Sequence, residues 1–287
     1  MERYPYMKCG GPKSATWESE GERMLETFER AALEAGKAIM QVYLSGCSSV
    51  SKADNSPVTI ADETAERIII AQLETAFPDI PIIAEESVAA GNVPSIGTHF
   101  FLVDPLDGTK EFIDKRREFT VNIAYISDGR PVVGIVYAPA LGVAFAGENG
   151  KAEKLFVDDG FQIARRVAIQ VRPQPAERTA LASRSHNSNQ TDDFLAANAI
   201  SSCTNIGSSL KFCLLAEGLA DVYPRFTRTM EWDTAAGDAV LRAAGGSTLT
   251  LDGLPLAYGK RSQAHDSDFA NPDFISWGGA RSTLERA

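Results

Sequence analysis

Phe100-Phe101-Leu102-Val103-Asp104-Pro105-Leu106-Asp107-Gly108-Thr109 decides how the rest of the chain is read. Four apolar residues form a short strand, and Asp104 closes it. Pro105 restricts the turn that follows. Asp107 comes three residues after Asp104, so the turn can aim both carboxylates into one space. Crowded carboxylates repel and raise each other's pKa, a penalty that a hard divalent cation with all-oxygen ligands removes. Gly108 lets the backbone approach an anion. Thr109 offers a hydroxyl and can open a short helix whose free N–H groups favour phosphate. Taken alone, two turn aspartates also fit Asx hydrogen bonding.

Strands surround this stretch. Ile82 to Ala84 precede it, and Phe119–Ile126, Val132–Ala138, Gly142–Phe145, Ala152–Val157 and Arg166–Val171 follow, with a turn at Asp128-Gly129-Arg130. Two helices come earlier. Leu25, Phe28, Ala32, Ala35, Ile39 and Val42 recur at helical spacing between Met24 and Leu44. Thr59 can cap a second helix through Phe77. Pro173-Gln174-Pro175 is the best linker. After it strands and helices alternate: strand 179–182, helix 191–199, strand near Thr204, helix 209–217, strand 220–223, helix 233–244 and strand 247–251. The expected fold class is α+β, an antiparallel-sheet half over residues 24–172 followed by an α/β half over 173–287, with a loosely ordered extension at 1–23.

Composition sets outer limits. The chain has 287 residues, 44% of them apolar, and a formal charge of −10. An acidic surface repels nucleic-acid backbones, so a duplex partner is not expected. It also repels phosphorylated ligands unless a bound cation inverts the local field. Four cysteines without a CxxC pair and three histidines argue against zinc and for free thiols in a reducing compartment. No apolar run is long enough for a transmembrane segment, and the first 21 residues lack the apolar core of a signal peptide. The expected location is cytoplasmic, with peripheral association at the inner face of the membrane left open.

Two further carboxylate segments stand behind apolar runs: Glu85-Glu86-Ser87 after Ala84, and Trp232-Asp233-Thr234-Ala235-Ala236-Gly237 at the start of a helix. Alone, the glutamates read as a solvated pair and Asp233 as an N-cap. Together with 104–109, the three signatures in this order resemble the inositol monophosphatase superfamily, over residues 24–270. The Asp-x-Asp-Gly-Thr of haloacid-dehalogenase-like phosphatases fits less well, because two residues, not one, separate Asp104 from Asp107. Ser56-Pro57-Val58-Thr59, Lys110-Glu111-Phe112-Ile113, Glu118 to Ala124, Ser183-Arg184-Ser185-His186, Gly207 to Cys213 and Tyr223-Pro224-Arg225-Phe226 are similar, more narrowly, to the CysQ-type 3'(2'),5'-bisphosphate nucleotidases. Residues 227–231 carry no recognised signature of that group.

The resemblance implies a layered αβαβα fold and lithium-sensitive, metal-dependent phosphatase activity. It implies two or three Mg²⁺ held by Glu85, Asp104, the Leu106 carbonyl, Asp107 and Asp233. A cation-activated water would attack in line, oriented by Thr109 paired with Glu85 or Asp54, with no covalent phosphoenzyme. Asp54, just before Ser56-Pro57-Val58-Thr59, has the position from which that group supplies a carboxylate; alone it reads as a loop residue. Substrate contacts are expected from Gly108, Thr109, Lys110, His186, Ser208, Lys211, Arg225 and Asp233, with Lys211 and Arg225 on a distal 5'-phosphate. The implied substrate is 3'-phosphoadenosine 5'-phosphate. Inositol monophosphatase activity, and a catalytically idle nucleotide or metal sensor, are the alternatives. Monomer and homodimer stay open.

Overall fold

Leu25, Phe28, Ala32, Ala35 and Ile39 do share one helix face, but the helix carrying them begins well before Met24. In a computed structural model describing residues 14–45, 49–51, 57–184 and 188–279, α1 spans Ser14–Ser45. A Cβ on Gly21, within this helix, would stand 2.0 Å from the Glu148 Oε1, so that flexible side chain would have to swing aside. The chain continues through β1 (Ser49–Ser51), β2 (Pro57–Thr59), α2 (Ile60–Ala76), β3 (Ile82–Ala84), α3 (Glu85–Ala89), β4 (His99–Asp107) and α4 (Thr109–Ile113). A run of strands follows: β5 (Thr120–Ser127), β6 (Arg130–Ala138), β7 (Val143–Glu148), β8 (Lys151–Val157) and β9 (Ile163–Ile169). The remainder is β10 (Thr179–Ser183), α5 (Asn189–Ala197), β11 (Ser202–Ile206), α6 (Leu210–Ala216), β12 (Val222–Arg225), α7 (Glu231–Ala243), β13 (Ser247–Thr250) and β14 (Phe274–Trp277).

β3 to β9 form one seven-stranded sheet in sequence order. β3 and β4 run parallel and every later neighbour is antiparallel. Both faces of its centre are buried, as β4 shows. Phe101 and Val103 join Phe28, Ile39, Ile69 and Leu73 of α1 and α2. Phe100 and Leu102 join Phe212 and Leu215 of α6 and Val240 of α7 on the other side. Alternation thus divides apolar residues between two cores instead of between core and water.

The second sheet, ordered β11-β10-β12-β14-β13, closes α6 and α7 from behind through Tyr223 and Phe274. Its outer face packs Val222 and Trp277 with Phe194 of α5. The layers are therefore α1/α2, seven strands, α6/α7, five strands and α5: the αβαβα order. The second sheet is mixed rather than parallel, because β14 returns antiparallel between β12 and β13. Among the described residues no helix is long and apolar enough to cross a membrane. Cys203 and Cys213 are free thiols.

The middle layer is seated on glycine. A Cβ on Gly134 of β6 would stand 2.7 Å from the Ala236 carbonyl, and one on Gly147 of β7 would stand 2.6 Å from the Val240 Cα. Backbone contact at this range fixes how closely α7 approaches the first sheet. Gly147→Ala is expected to destabilise the chain by about 1–3 kcal/mol, the usual cost of overpacking. A lowered urea midpoint at unchanged slope checks it.

Candidate active site

The turn at 104–109 is built by a β-bulge. Asp104 pairs with Asn122 and Asp107 with Thr120, so three steps along β4 match two along β5. In a regular strand residues three apart face opposite sides of the sheet; the extra residue cancels that inversion and brings both carboxylates to one side. The Asp104 Oδ1 accepts the Leu106 N–H at 3.0 Å. Gly108 takes φ 89°, a left-handed conformation that favours glycine, and α4 starts at the next residue. The Thr109 hydroxyl donates to the Leu106 carbonyl at 3.2 Å.

Glu85 is delivered by a clamp that the sequence reading missed. Glu66, buried on α2, accepts the backbone N–H of Glu86 at 2.7 Å and of Ser87 at 2.8 Å, and the Ser87 hydroxyl at 2.6 Å. These bonds satisfy amides at the start of α3. Burial raises the Glu66 pKa, and the Ser87 hydroxyl and the two amides oppose the rise. Glu66→Ala leaves those donors unmatched inside the protein. A loss of about 2–4 kcal/mol is expected, read as a lower melting temperature.

Asp233 arrives from the opposite half of the chain, in the first turn of α7. Its Oδ2 accepts the Met230 N–H at 2.8 Å. Below it, buried Glu231 accepts the amides of Gly259 at 2.6 Å and Lys260 at 2.8 Å and pairs with the Lys260 Nζ at 2.7 Å. Asn271 donates to the Met230 carbonyl at 2.8 Å and the Thr234 hydroxyl at 3.0 Å. The entry to α7 is thereby fixed.

These segments meet at a cavity of about 440 Å³ with two unlike walls. One wall is acidic: Glu85, Asp104, Asp107 and Asp233. Burial holds Asp104 well above the usual carboxylate range, and the charges of Glu85, Asp107, Asp233 and Asp62 push it further. Burial, then Asp107, pushes Asp233 up to about 7. Asp62, buried in the first turn of α2, was not among the expected residues, since an acid there reads as a partner of the helix dipole. Among the described residues no three His, Cys, Asp or Glu side chains close into a ligand cage. Asp104, Asp107 and Asp233 instead accept from Leu106, Ser209 and Met230. The chemistry of this donor set still fits a hard cation: it is all oxygen, largely buried and short of positive charge.

The other wall is cationic. Lys211 and Arg225 line the cavity yet are only 4% and 8% exposed. The Lys211 Nζ donates to the carbonyls of Ile206, at 3.3 Å, and Ser208, and stands 5.2 Å from the centre of the Tyr223 ring. Burial lowers its pKa to about 8, while the charge of Asp107 opposes the fall. The Arg225 Nε donates to the Thr227 carbonyl at 3.1 Å. Ser208 and exposed Lys110 also border the space. Arg228 lines it too, paired with Asp266 at 3.1 Å, from the stretch where no signature was recognised. Asp54 and His186 lie outside the described residues.

The inositol monophosphatase family model matches residues 20–274. The chain is 46% identical over 253 residues to the 3'(2'),5'-bisphosphate nucleotidase CysQ of Shigella flexneri, covering 88% of this chain and 98% of that one. It is 45% identical over the same shares to the protein of that name from Escherichia coli. The crystal structure of CysQ from Bacteroides thetaiotaomicron superposes with a TM-score of 0.73 at 36% identity, over 91% of this chain and 97% of that one. On its fold, its family-wide match and these relatives, the chain belongs to the inositol monophosphatase family, among its CysQ-type members.

Proposed function

We propose that the chain hydrolyses 3'-phosphoadenosine 5'-phosphate to AMP and phosphate in a Mg²⁺-dependent reaction with direct in-line attack by water. The observation that carries this reading is the pairing of an acidic wall with two buried cations across one cavity. A monoester needs only the first wall. A bisphosphate gives the second something to hold.

Glu85, Asp104, the Leu106 carbonyl, Asp107 and Asp233 would hold the cations. Bound there, Mg²⁺ supplies a Lewis acid for the 3'-phosphoryl oxygens and a water of lowered pKa. Thr109, whose hydroxyl lies within reach of the Leu106 carbonyl, orients the attacking water and passes its proton to a neighbouring carboxylate. Lys211 and Arg225 bind the 5'-phosphate as charged donors already stripped of most of their water. Gly108 lets the main chain come close to the phosphoryl group. Ser208 and Lys110, at the border of the cavity, add a hydroxyl and a cation for the nucleotide.

Phosphate release from 3'-phosphoadenosine 5'-phosphate, from AMP and from inositol 1-phosphate is the test, each with Mg²⁺ and with excess EDTA. The bisphosphate should be preferred by at least about tenfold in kcat/KM, equivalent to ~1.4 kcal/mol, with one phosphate released per nucleotide and no turnover in EDTA. Preference for the inositol phosphate would leave the phosphatase class standing and overturn the nucleotide. Full turnover in EDTA would overturn the metal dependence.

A further inference from the structure

Ser209 has no part in the reaction proposed above, yet three groups from three different elements converge on its hydroxyl. The Asn122 Nδ2, on β5, lies 2.8 Å away; the Asp107 Oδ2, at the end of β4, 2.7 Å; the Asp233 carbonyl, in α7, 2.8 Å. Ser209 is 2% exposed and Asn122 is fully buried. A hydroxyl has one proton and two lone pairs. Asn122 donates into a lone pair, so the proton must choose between two acceptors. A carboxylate is a stronger acceptor than an amide carbonyl. The proton therefore goes to Asp107. Reversing the Asn122 amide would direct the serine proton to its oxygen and leave a serine lone pair against the carboxylate. The acid thus fixes the amide's orientation, and the amide in turn fixes the hydroxyl.

We infer that Ser209 is a positioning residue: it ties up the Asp107 Oδ2 and thereby orients the carboxylate so that Oδ1 is the oxygen left to a cation. It also stands against the backbone of Asp233, so it joins the acid from the first half of the chain to the acid from the second. Asn122 is the partner of Asp104 across the β4–β5 ladder, so the same amide is in register with the third carboxylate. The inference rests on the proposal that Asp107 holds Mg²⁺. It adds a group, at the lining of the cavity, that acts through the hydrogen bond it donates to a proposed ligand.

Mg²⁺ binding to the full-length protein, measured by titration calorimetry without nucleotide, separates the two claims. Ser209→Ala should bind Mg²⁺ about 10–100-fold more weakly than wild type, as partners that orient metal ligands do. The Mg²⁺ concentration for half-maximal activity should rise by the same factor, with KM for the nucleotide at saturating Mg²⁺ unchanged. Ser209→Thr, which keeps the hydroxyl, should stay near wild type. Ser209→Ala leaves the buried Asn122 amide unmatched and should melt lower in EDTA. The titrations are therefore run at a temperature where circular dichroism shows all three folded, which sets the effect apart from a folding defect. Should Ser209→Ala not fold, Ser209→Cys, whose thiol is only a weak donor, should weaken Mg²⁺ in the same direction. Wild-type Mg²⁺ affinity in Ser209→Ala, or in Ser209→Cys where that serves instead, would overturn the inference and leave the proposed reaction intact. A wild-type protein that binds no Mg²⁺ would overturn both.

Discussion

Asp104→Asn is expected to melt higher than wild type in EDTA while losing at least about a thousandfold in phosphate release. The two effects have one cause. Asp104 is 1% exposed, and four other carboxylates push against its charge. Without a cation that charge is a burden on the folded state; the amide removes it and still accepts the Leu106 N–H. With Mg²⁺ the sign reverses, because the variant has lost a ligand that neutralises the ion and places it against the phosphoryl group. Several kcal/mol of transition-state stabilisation go with it, at a factor of ten for each ~1.4 kcal/mol. Melting curves in EDTA and in Mg²⁺ check the stability half: Mg²⁺ should raise the melting temperature of wild type far more than that of the variant. A variant that melts lower than wild type in EDTA, or keeps a tenth of the activity, contradicts the argument.

Lys211→Met and Arg225→Met should each lower kcat/KM for 3'-phosphoadenosine 5'-phosphate by about 10- to 150-fold, the equivalent of ~1.5–3 kcal/mol per charged hydrogen bond. Any activity on a phosphate monoester lacking the second phosphate should change by less than about threefold. Both side chains are already buried, so each approaches the ligand with little water left to shed, and the methionine fills most of the vacated volume. Lys211 also holds the carbonyls of Ile206 and Ser208, and Arg225 holds that of Thr227. Some of the loss will therefore appear as lower stability. Comparing the two substrates on the same preparation isolates the part due to phosphate recognition. Equal losses on both would assign these cations to the framework of the fold and remove the main support for a bisphosphate substrate.

Much of this was legible because residues close in sequence do the work. Asp104, Asp107, Gly108 and Thr109 form a local turn, and the apolar residues before them had to be a strand. Glu85 follows an apolar run and could be placed at its end, and Asp233 could be placed at the opening of a helix. What the sequence hid depends on partners far along the chain. Glu66 looks like an ordinary acid on a helix until its bonds to residues 86 and 87 are seen. Ser209 looks like a helix start until Asn122 and Asp107 are brought to it from 87 and 102 residues away. The extra turns of α1 were hidden for a different reason. Gly21 and a polar stretch argue against helix locally, yet the helix Ser14–Ser45 runs through both. β14 is four residues after a long loop, too short for its alternation to register. Its pairing between β12 and β13 makes the second sheet mixed, which the alternation of strands and helices over 173–287 did not show.

The acidic wall stands on β4, α3 and α7, and the cationic wall on α6 and β12. Because α6 and α7 form the middle layer between both sheets, the interval between the two walls is set by backbone packing, as in a gauge with fixed jaws. Under the proposed reaction a bisphosphate is gripped at both ends only while both esters are intact. Cutting one of them releases the nucleotide from one jaw, so turnover itself starts product departure.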